Sequence, residues 1–252
     1  MKLGEKDTIA AISTGLGEGG IGIVRISGTE AFKVADAVFF SPSDRKLSSC
    51  PSHTIHYGEI RHPRTGEALD EALVSVMRSP RTYTTEDVVE INCHGGRVSL
   101  KKVLDACVLA GARVAEPGEF TRRAFLNGRI DLAQAEAVMD IISSETEKAQ
   151  QAALGQLGGG LSDRIEKLRE QLVETLALIE LSLDFSDEDV ERPAREEITS
   201  RVEKVLSGVT ELLDTSSSGM MMRSGASVVL CGRPNVGKSS LLNALTGAGV
   251  LS

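Results

Sequence analysis

Apolar residues change their spacing part-way along the chain, and the change falls near residue 118. Before it, they come in short β-branched runs bounded by turn residues. These predict strands at Thr8–Ile12, Ile21–Ser27, Thr54–Ile60, Ala72–Met77 and Val88–Cys93. Glu30–Val38 and Val98–Ala110 carry helical periodicity instead. The breaker Ala115-Glu116-Pro117-Gly118 then marks a boundary.

Beyond the boundary the spacing is helical. Leu157, Leu161, Ile165, Leu168, Leu172, Leu176, Ile179 and Leu183 recur every three or four residues, which keeps one apolar stripe on one helix face. Leu132–Leu154 predicts a helix before this one, and Ile198, Val202, Val205, Val209 and Leu212 predict another after it. An acidic loop, 184–189, separates the last two, and the expected architecture is a helical bundle. Ser216–Gly219 reads as a short linker. Ser227–Cys231 reads as an apolar strand, followed by a glycine loop and a helix, Lys238–Thr246.

Composition narrows the class. Hydrophobic residues make up 41% and charged residues 25%, as in ordinary soluble globular chains. With 3% aromatics and no Trp, the cores must be built from Leu, Ile, Val and Ala. A net charge of −8 argues against a large basic nucleic-acid surface, although a local basic site is compatible with it. The N-terminus lacks a signal-peptide pattern and no run is apolar enough to cross a membrane. The four scattered cysteines form no C-x-x-C, so a reduced, cytoplasmic protein is expected.

The strongest motif is Gly232-Arg-Pro-Asn-Val-Gly-Lys-Ser239, which fits G-x-x-x-x-G-K-[ST]. This is a P-loop, whose backbone N–H groups wrap nucleotide phosphates at a helix N-terminus. Lys238 would reach the β- and γ-phosphates and the Ser239 hydroxyl would coordinate Mg²⁺. The loop does not choose between ATP and GTP. Gly15, Gly17 and Gly20 also form a G-x-G-x-x-G, but a strand pattern follows where a dinucleotide fold needs a helix. Cys50, His53, His56 and His62 match no zinc spacing and read as loop and strand residues. Arg25, Glu90 and Arg129 stand among apolar or glycine neighbours, either as exposed positions or as charges that need a ligand.

Several long motifs in order carry a more specific resemblance. They are residues 19–28 (GGIGIVRISG), 86–90 (EDVVE), 94–96 (HGG), 117–129 (PGEFTRRAFLNGR), 131–137 (DLAQAEA), and the P-loop followed by 241–245 (LLNAL). Over nearly its whole length the chain resembles the tRNA modification GTPases of the MnmE (TrmE) type.

The resemblance implies a fold in three parts. Residues 1–118 would form an α+β, aminomethyltransferase-like domain that dimerises and binds a one-carbon tetrahydrofolate. Residues 119–222 would be the N-terminal part of an all-α domain. Residues 223–252 would begin an α/β P-loop GTPase domain. The family implies a homodimer, an FAD-containing partner of the MnmG type and a tRNA substrate. Its activity is addition of a (carboxymethyl)aminomethyl group at carbon 5 of the wobble uridine, with K⁺-stimulated GTP hydrolysis. Carried over by motif, Arg25, Glu90 and Arg129 would contact folate, and Asn235, Val236, Gly237, Lys238, Ser239 and Ser240 would hold the GTP phosphates. Asn235 would ligate K⁺ and Ser239 would ligate Mg²⁺.

The switch regions, the D-x-x-G segment and the N-K-x-D guanine reader of the family have no counterpart here, nor does its C-terminal C-x-G-K end. The chain therefore reads as an N-terminal fragment with no catalytic residue of its own, and 223–252 should be marginally stable alone. Two other classes stay open: a folate-dependent one-carbon transferase, and a nucleotide-dependent assembly switch.

Overall fold

A computed structural model describes residues 7–15, 17–184, 195–224 and 228–247. The chain divides into two compact units, one of residues 1–139 with 156–159, the other of 140–155 with 160–252.

The first unit is built on one seven-stranded mixed sheet. Its strands are β1 (Ile9–Ile12), β2 (Ile21–Ser27), β3 (Phe39–Phe40), β4 (Thr54–Arg61), β5 (Ala68–Met77), β6 (Val88–His94) and β7 (Arg113–Val114), in the order β3-β4-β5-β6-β2-β1-β7. Every neighbouring pair is antiparallel except β1 and β7. Helices α1 (Ala31–Val38) and α2 (Arg97–Leu109) share the core with the sheet. Val24, Ile26, Val74, Val76, Val89 and Ile91 from the strands are buried with Val34, Val38, Leu100 and Val103 from the helices. Because side chains alternate along a strand, the intervening positions Ile23, Arg25, Glu90 and Asn92 lie on the other face and stay partly open. Helix α3 (Glu119–Leu126) follows the sheet, and the first turns of α4 (Leu132–Ser143) complete the unit. Gln134 Nε2 donates to the Leu157 carbonyl and Gln156 Nε2 to the Ala133 carbonyl, both at 2.9 Å.

The second unit is helical: α5 (Glu147–Leu157) for most of its length, α6 (Gly160–Asp184), α7 (Arg195–Ser224) and α8 (Lys238–Thr246). Helices α6 and α7 pack together; a Cβ on Gly208 would lie 2.7 Å from Leu168 Cδ2. Their outer apolar residues remain exposed, among them Leu172, Leu176, Leu206 and Leu213. None of the described helices is long and apolar enough to cross a membrane.

Four sequence expectations change. The helix expected over Leu132–Leu154 is two helices, because the Thr146 hydroxyl accepts the Ala149 N–H at 3.1 Å and starts α5 afresh. The apolar stripe 157–183 is likewise divided: Gly159, at φ +93°, ends α5 in the left-handed region, so Leu157 belongs to α5 and the rest to α6. The expected linker 216–219 is helical, since α7 runs to Ser224; nothing there forces a stop, as Ser costs a helix only a fraction of a kcal/mol. Val228–Cys231 are not a strand and pair with none of the described residues, because an apolar run becomes a strand only beside a neighbour. Ser227 and the acidic stretch from Phe185 to Asp189 lie outside the described residues.

Candidate functional site

Strands β2 and β6 run antiparallel with Arg25 directly opposite Glu90. Both side chains point to the face that α1 and α2 leave open, and Arg25 Nε donates to Glu90 Oε1 at 2.7 Å. They are 27% and 21% exposed, so the pair is sheltered yet reachable. A guanidinium has five donors and this bond uses one. The Arg25 guanidinium carbon also lies 5.6 Å from the centre of the Tyr83 ring and 5.5 Å from that of Phe120.

Tyr83 connects this pair to the third candidate. Arg129 places its guanidinium carbon 4.9 Å from the same ring centre and donates Nη1 to the Tyr83 carbonyl at 3.1 Å. Thus Arg25 and Arg129, separate in sequence, stand against one aromatic side chain, and Glu90 joins them through Arg25. The Tyr83 hydroxyl is fixed in turn by Thr121 Oγ1 at 2.9 Å. Tyr83 and Phe120 were not singled out in the sequence. Phe120 sits inside the 117–129 motif, while Tyr83 is one of only two tyrosines in an aromatic-poor chain.

An ion network centred on the buried Glu119 and Arg123 holds these pieces in place. Arg123 is 8% exposed and reaches Asp7 at 2.5 Å, Glu119 at 3.0 Å and Glu86 at 3.2 Å. Arg113 adds contacts to Asp7 and Glu119, both at 2.7 Å. Burial alone would raise the Glu119 carboxyl, but hydrogen bonds from Arg113, the Glu116 N–H and Arg123 outweigh it and bring it down to about 2. The Glu86 carboxylate also accepts from Ser27 at 2.7 Å, tying β2 to the loop before β6. Asn127 Nδ2 donates to the Thr84 carbonyl at 2.7 Å from the other side. The loop bearing Tyr83 and the helix bearing Phe120 are therefore fixed relative to the sheet.

A second polar cluster stands at the far end of β6. His94 Nδ1 meets Asp70 Oδ1 at 2.6 Å, and the His94 N–H and the Ser99 hydroxyl also donate to Asp70. The carboxylate, 8% exposed, raises the pKa of the largely exposed imidazole.

In the second unit, the P-loop has the backbone of an anion nest. Asn235 and Gly237 adopt φ of +60° and +92°, and Gly237 leads into α8. Lys238 Nζ donates to the carbonyls of Gly232 at 3.1 Å and Arg233 at 2.8 Å. Ser239 and Ser240 lie exposed on the first turn of α8, and Val236 is exposed at 61%.

Residues 8–129 match the model of the GTP-binding protein TrmE N-terminus, and residues 132–244 match that of the MnmE helical domain. The chain belongs to the MnmE (TrmE) family. It is 54% identical over 242 residues to the tRNA modification GTPase MnmE of Geobacillus kaustophilus (strain HTA426), covering 96% of this chain and 52% of that protein. The protein of the same name from Lysinibacillus sphaericus (strain C3-41) is also 54% identical with the same coverage. That from Alkaliphilus oremlandii (strain OhILAs) is 54% identical over 239 residues, 95% of this chain and 52% of its own length. The chain spans about half the length of the curated relatives it matches.

Proposed function

We propose that this chain carries the folate-binding and nucleotide-binding parts of a tRNA modification GTPase. The observation that carries the reading is the Arg25–Glu90 pair, facing outward from β2 and β6 and joined through Tyr83 to Arg129. The donor set suits a reduced folate: a carboxylate accepts from the N–H edge of a pterin, and guanidiniums bind carboxylates. When bound, a one-carbon tetrahydrofolate would supply the carbon unit. Arg25, Glu90 and Arg129 would orient it, and the Asp7–Arg113–Glu119–Arg123 network would keep their supports rigid.

In this proposal residues 1–118 form the folate-binding, dimerising domain, 119–222 the helical domain and 223–252 the start of the G domain. Asn235 to Ser240 hold the GTP phosphates. The P-loop fits its ions, since the Ser239 hydroxyl and the Asn235 side-chain amide are exposed hard-oxygen donors of the kind that Mg²⁺ and K⁺ prefer. The whole protein would work as a cytoplasmic homodimer with an FAD-containing partner of the MnmG type. With that partner it would add a (carboxymethyl)aminomethyl group at carbon 5 of the wobble uridine in certain tRNAs, driven by K⁺-stimulated GTP hydrolysis. The relatives' name, tRNA modification GTPase, supports the general activity.

The test is calorimetric titration of the chain with a reduced folate, alongside Arg25→Ala and Glu90→Ala. Binding that either substitution weakens by more than about tenfold supports the site, since each removes charge-assisted hydrogen bonds. A folded chain that takes up no folate overturns it.

A further inference from the structure

Next to the Arg25–Glu90 pair lies an open pocket of about 500 Å³, formed by the loop between β5 and β6 and the segment after α3. Its lining contains two guanidiniums, Arg81 and Arg129, and no carboxylate. That is unusual on a chain with 36 acidic and 28 basic residues. Among the described residues, the Arg129 side chain engages a backbone carbonyl and the Tyr83 ring. Arg81 is exposed and hydrogen-bonds to none of the described residues.

The pocket wall is built rather than loose. The Thr82 hydroxyl donates to the Glu86 carbonyl at 2.6 Å, the Ser79 hydroxyl to the Thr85 carbonyl at 2.7 Å, and the Ser79 N–H to Asp87 Oδ1 at 3.0 Å. Asn127 closes the other side through the Thr84 carbonyl. Two guanidiniums with unused N–H donors, carried on a fixed loop and on the segment after α3 and with no carboxylate among the lining residues, form a receptor for a ligand bearing several carboxylates.

Tyr83 is the shared neighbour of the pocket and the pair. That ring lies within 5.6 Å of the guanidinium carbons of both Arg25 and Arg129, and Tyr83 itself lines the pocket. A ligand resting on Arg25 and Glu90 can therefore extend past Tyr83 into the pocket. Folates are built in that order: a pterin, a p-aminobenzoyl spacer, then glutamates joined through their γ-carboxyls. Each added glutamate brings one more carboxylate.

We propose that the Arg81–Arg129 pocket is a polycarboxylate subsite that receives the γ-glutamyl tail and makes the chain select polyglutamylated over monoglutamylated reduced folates. This rests on the folate reading of Arg25, Glu90 and Arg129. Arg81 is the specificity residue: it touches the tail and leaves the pterin end alone.

The experiment compares tetrahydrofolate monoglutamate and triglutamate by calorimetry on the whole chain, in wild type, Arg81→Ala and Arg81→Glu. In wild type the triglutamate binds about tenfold tighter, because one or two extra charge-assisted bonds are made. Arg81→Ala lowers that ratio to about twofold or less while leaving monoglutamate affinity within about twofold, and Arg81→Glu reverses the preference. Raising the salt shrinks the wild-type ratio. Equal binding of the two folates in wild type, or a ratio unchanged by Arg81→Ala, overturns the subsite and leaves the folate site standing. No binding of either folate overturns both. If Arg81→Ala weakens tRNA binding in a filter assay and leaves the folate ratio intact, the pocket serves a phosphate backbone and the proposal fails.

Discussion

The sheet unit and the helical unit bury their apolar residues to very different extents. In the first, Val24, Val74, Val76, Val89 and Ile91 are fully buried between sheet and helices, and Glu119 and Arg123 are buried at the centre of an ion network that Asp7 and Arg113 complete nearer the surface. In the second, several leucines of the sequence stripe remain on the surface: Leu172 is 46% exposed and Leu176 53%. A helix face gains stability only from what covers it. The helix-facing side of the sheet is thus covered and holds its site rigid, although Ile21, Ile55 and Tyr57 stay exposed elsewhere on that unit, whereas α6 and α7 keep an uncovered apolar face along their length.

Arg123→Ala should have the largest effect of the substitutions that test this contrast. It leaves the buried Glu119 carboxylate without one of its cations and removes partners of Asp7 and Glu86, so a loss of about 3–5 kcal/mol is expected in urea unfolding followed by circular dichroism. The matching change in the helical unit, Arg201→Ala, breaks the exposed Arg201–Glu197 pair and should cost about 0.5 kcal/mol or less. Equal losses would remove the distinction between the units.

Truncating apolar side chains sharpens the same point. Ile91→Ala opens a cavity in the core and should cost about 2–5 kcal/mol. Leu172→Ala, on the uncovered face of α6, should cost about 1 kcal/mol or less by the same measurement.

Acid comes next. Glu119 has its folded-state pKa depressed to about 2, below the ordinary 4.5, and Asp7 is lowered in the same direction. A depressed carboxylate contributes stability above its unfolded pKa and loses it as pH falls through the folded value. The sheet unit should therefore weaken between about pH 4.5 and 2, with Glu119→Gln flattening that slope. A pH-independent wild type over this window would contradict the network.

The smallest effect is local. The Asp70 hydrogen bond raises the pKa of His94, so its imidazole should titrate above 6.5 in an NMR experiment and move down toward that value in Asp70→Asn. Any stability this bond adds is present at low pH and fades as pH rises through the folded pKa of His94. An unmoved titration would mean that the dyad does not persist in solution.

Much of the architecture is legible along the chain because it is written locally. The β-branched runs, the alternation at Val24-Arg25-Ile26 and Val89-Glu90-Ile91, and the P-loop glycines each depend on near neighbours. Breaks within a periodic stretch are less legible. A hydroxyl cap at Thr146 and a left-handed Gly159 each break a periodic stretch that still looks continuous. The apolar run after residue 227 looks like a strand, but a strand requires a neighbour that periodicity cannot supply.

The candidate site follows the same division. By itself the sequence determined that Arg25 and Glu90 each interrupt an apolar strand pattern, and that Asn235 to Ser240 can form a nest. Only the tertiary structure decided that Arg25 stands opposite Glu90, that Tyr83 lies against both Arg25 and Arg129, and that Arg81 and Arg129 share a pocket with no carboxylate among its lining residues. The physical reason is register: strand pairing across 65 residues, and a loop fixed by buried charges, place groups together that no local pattern links.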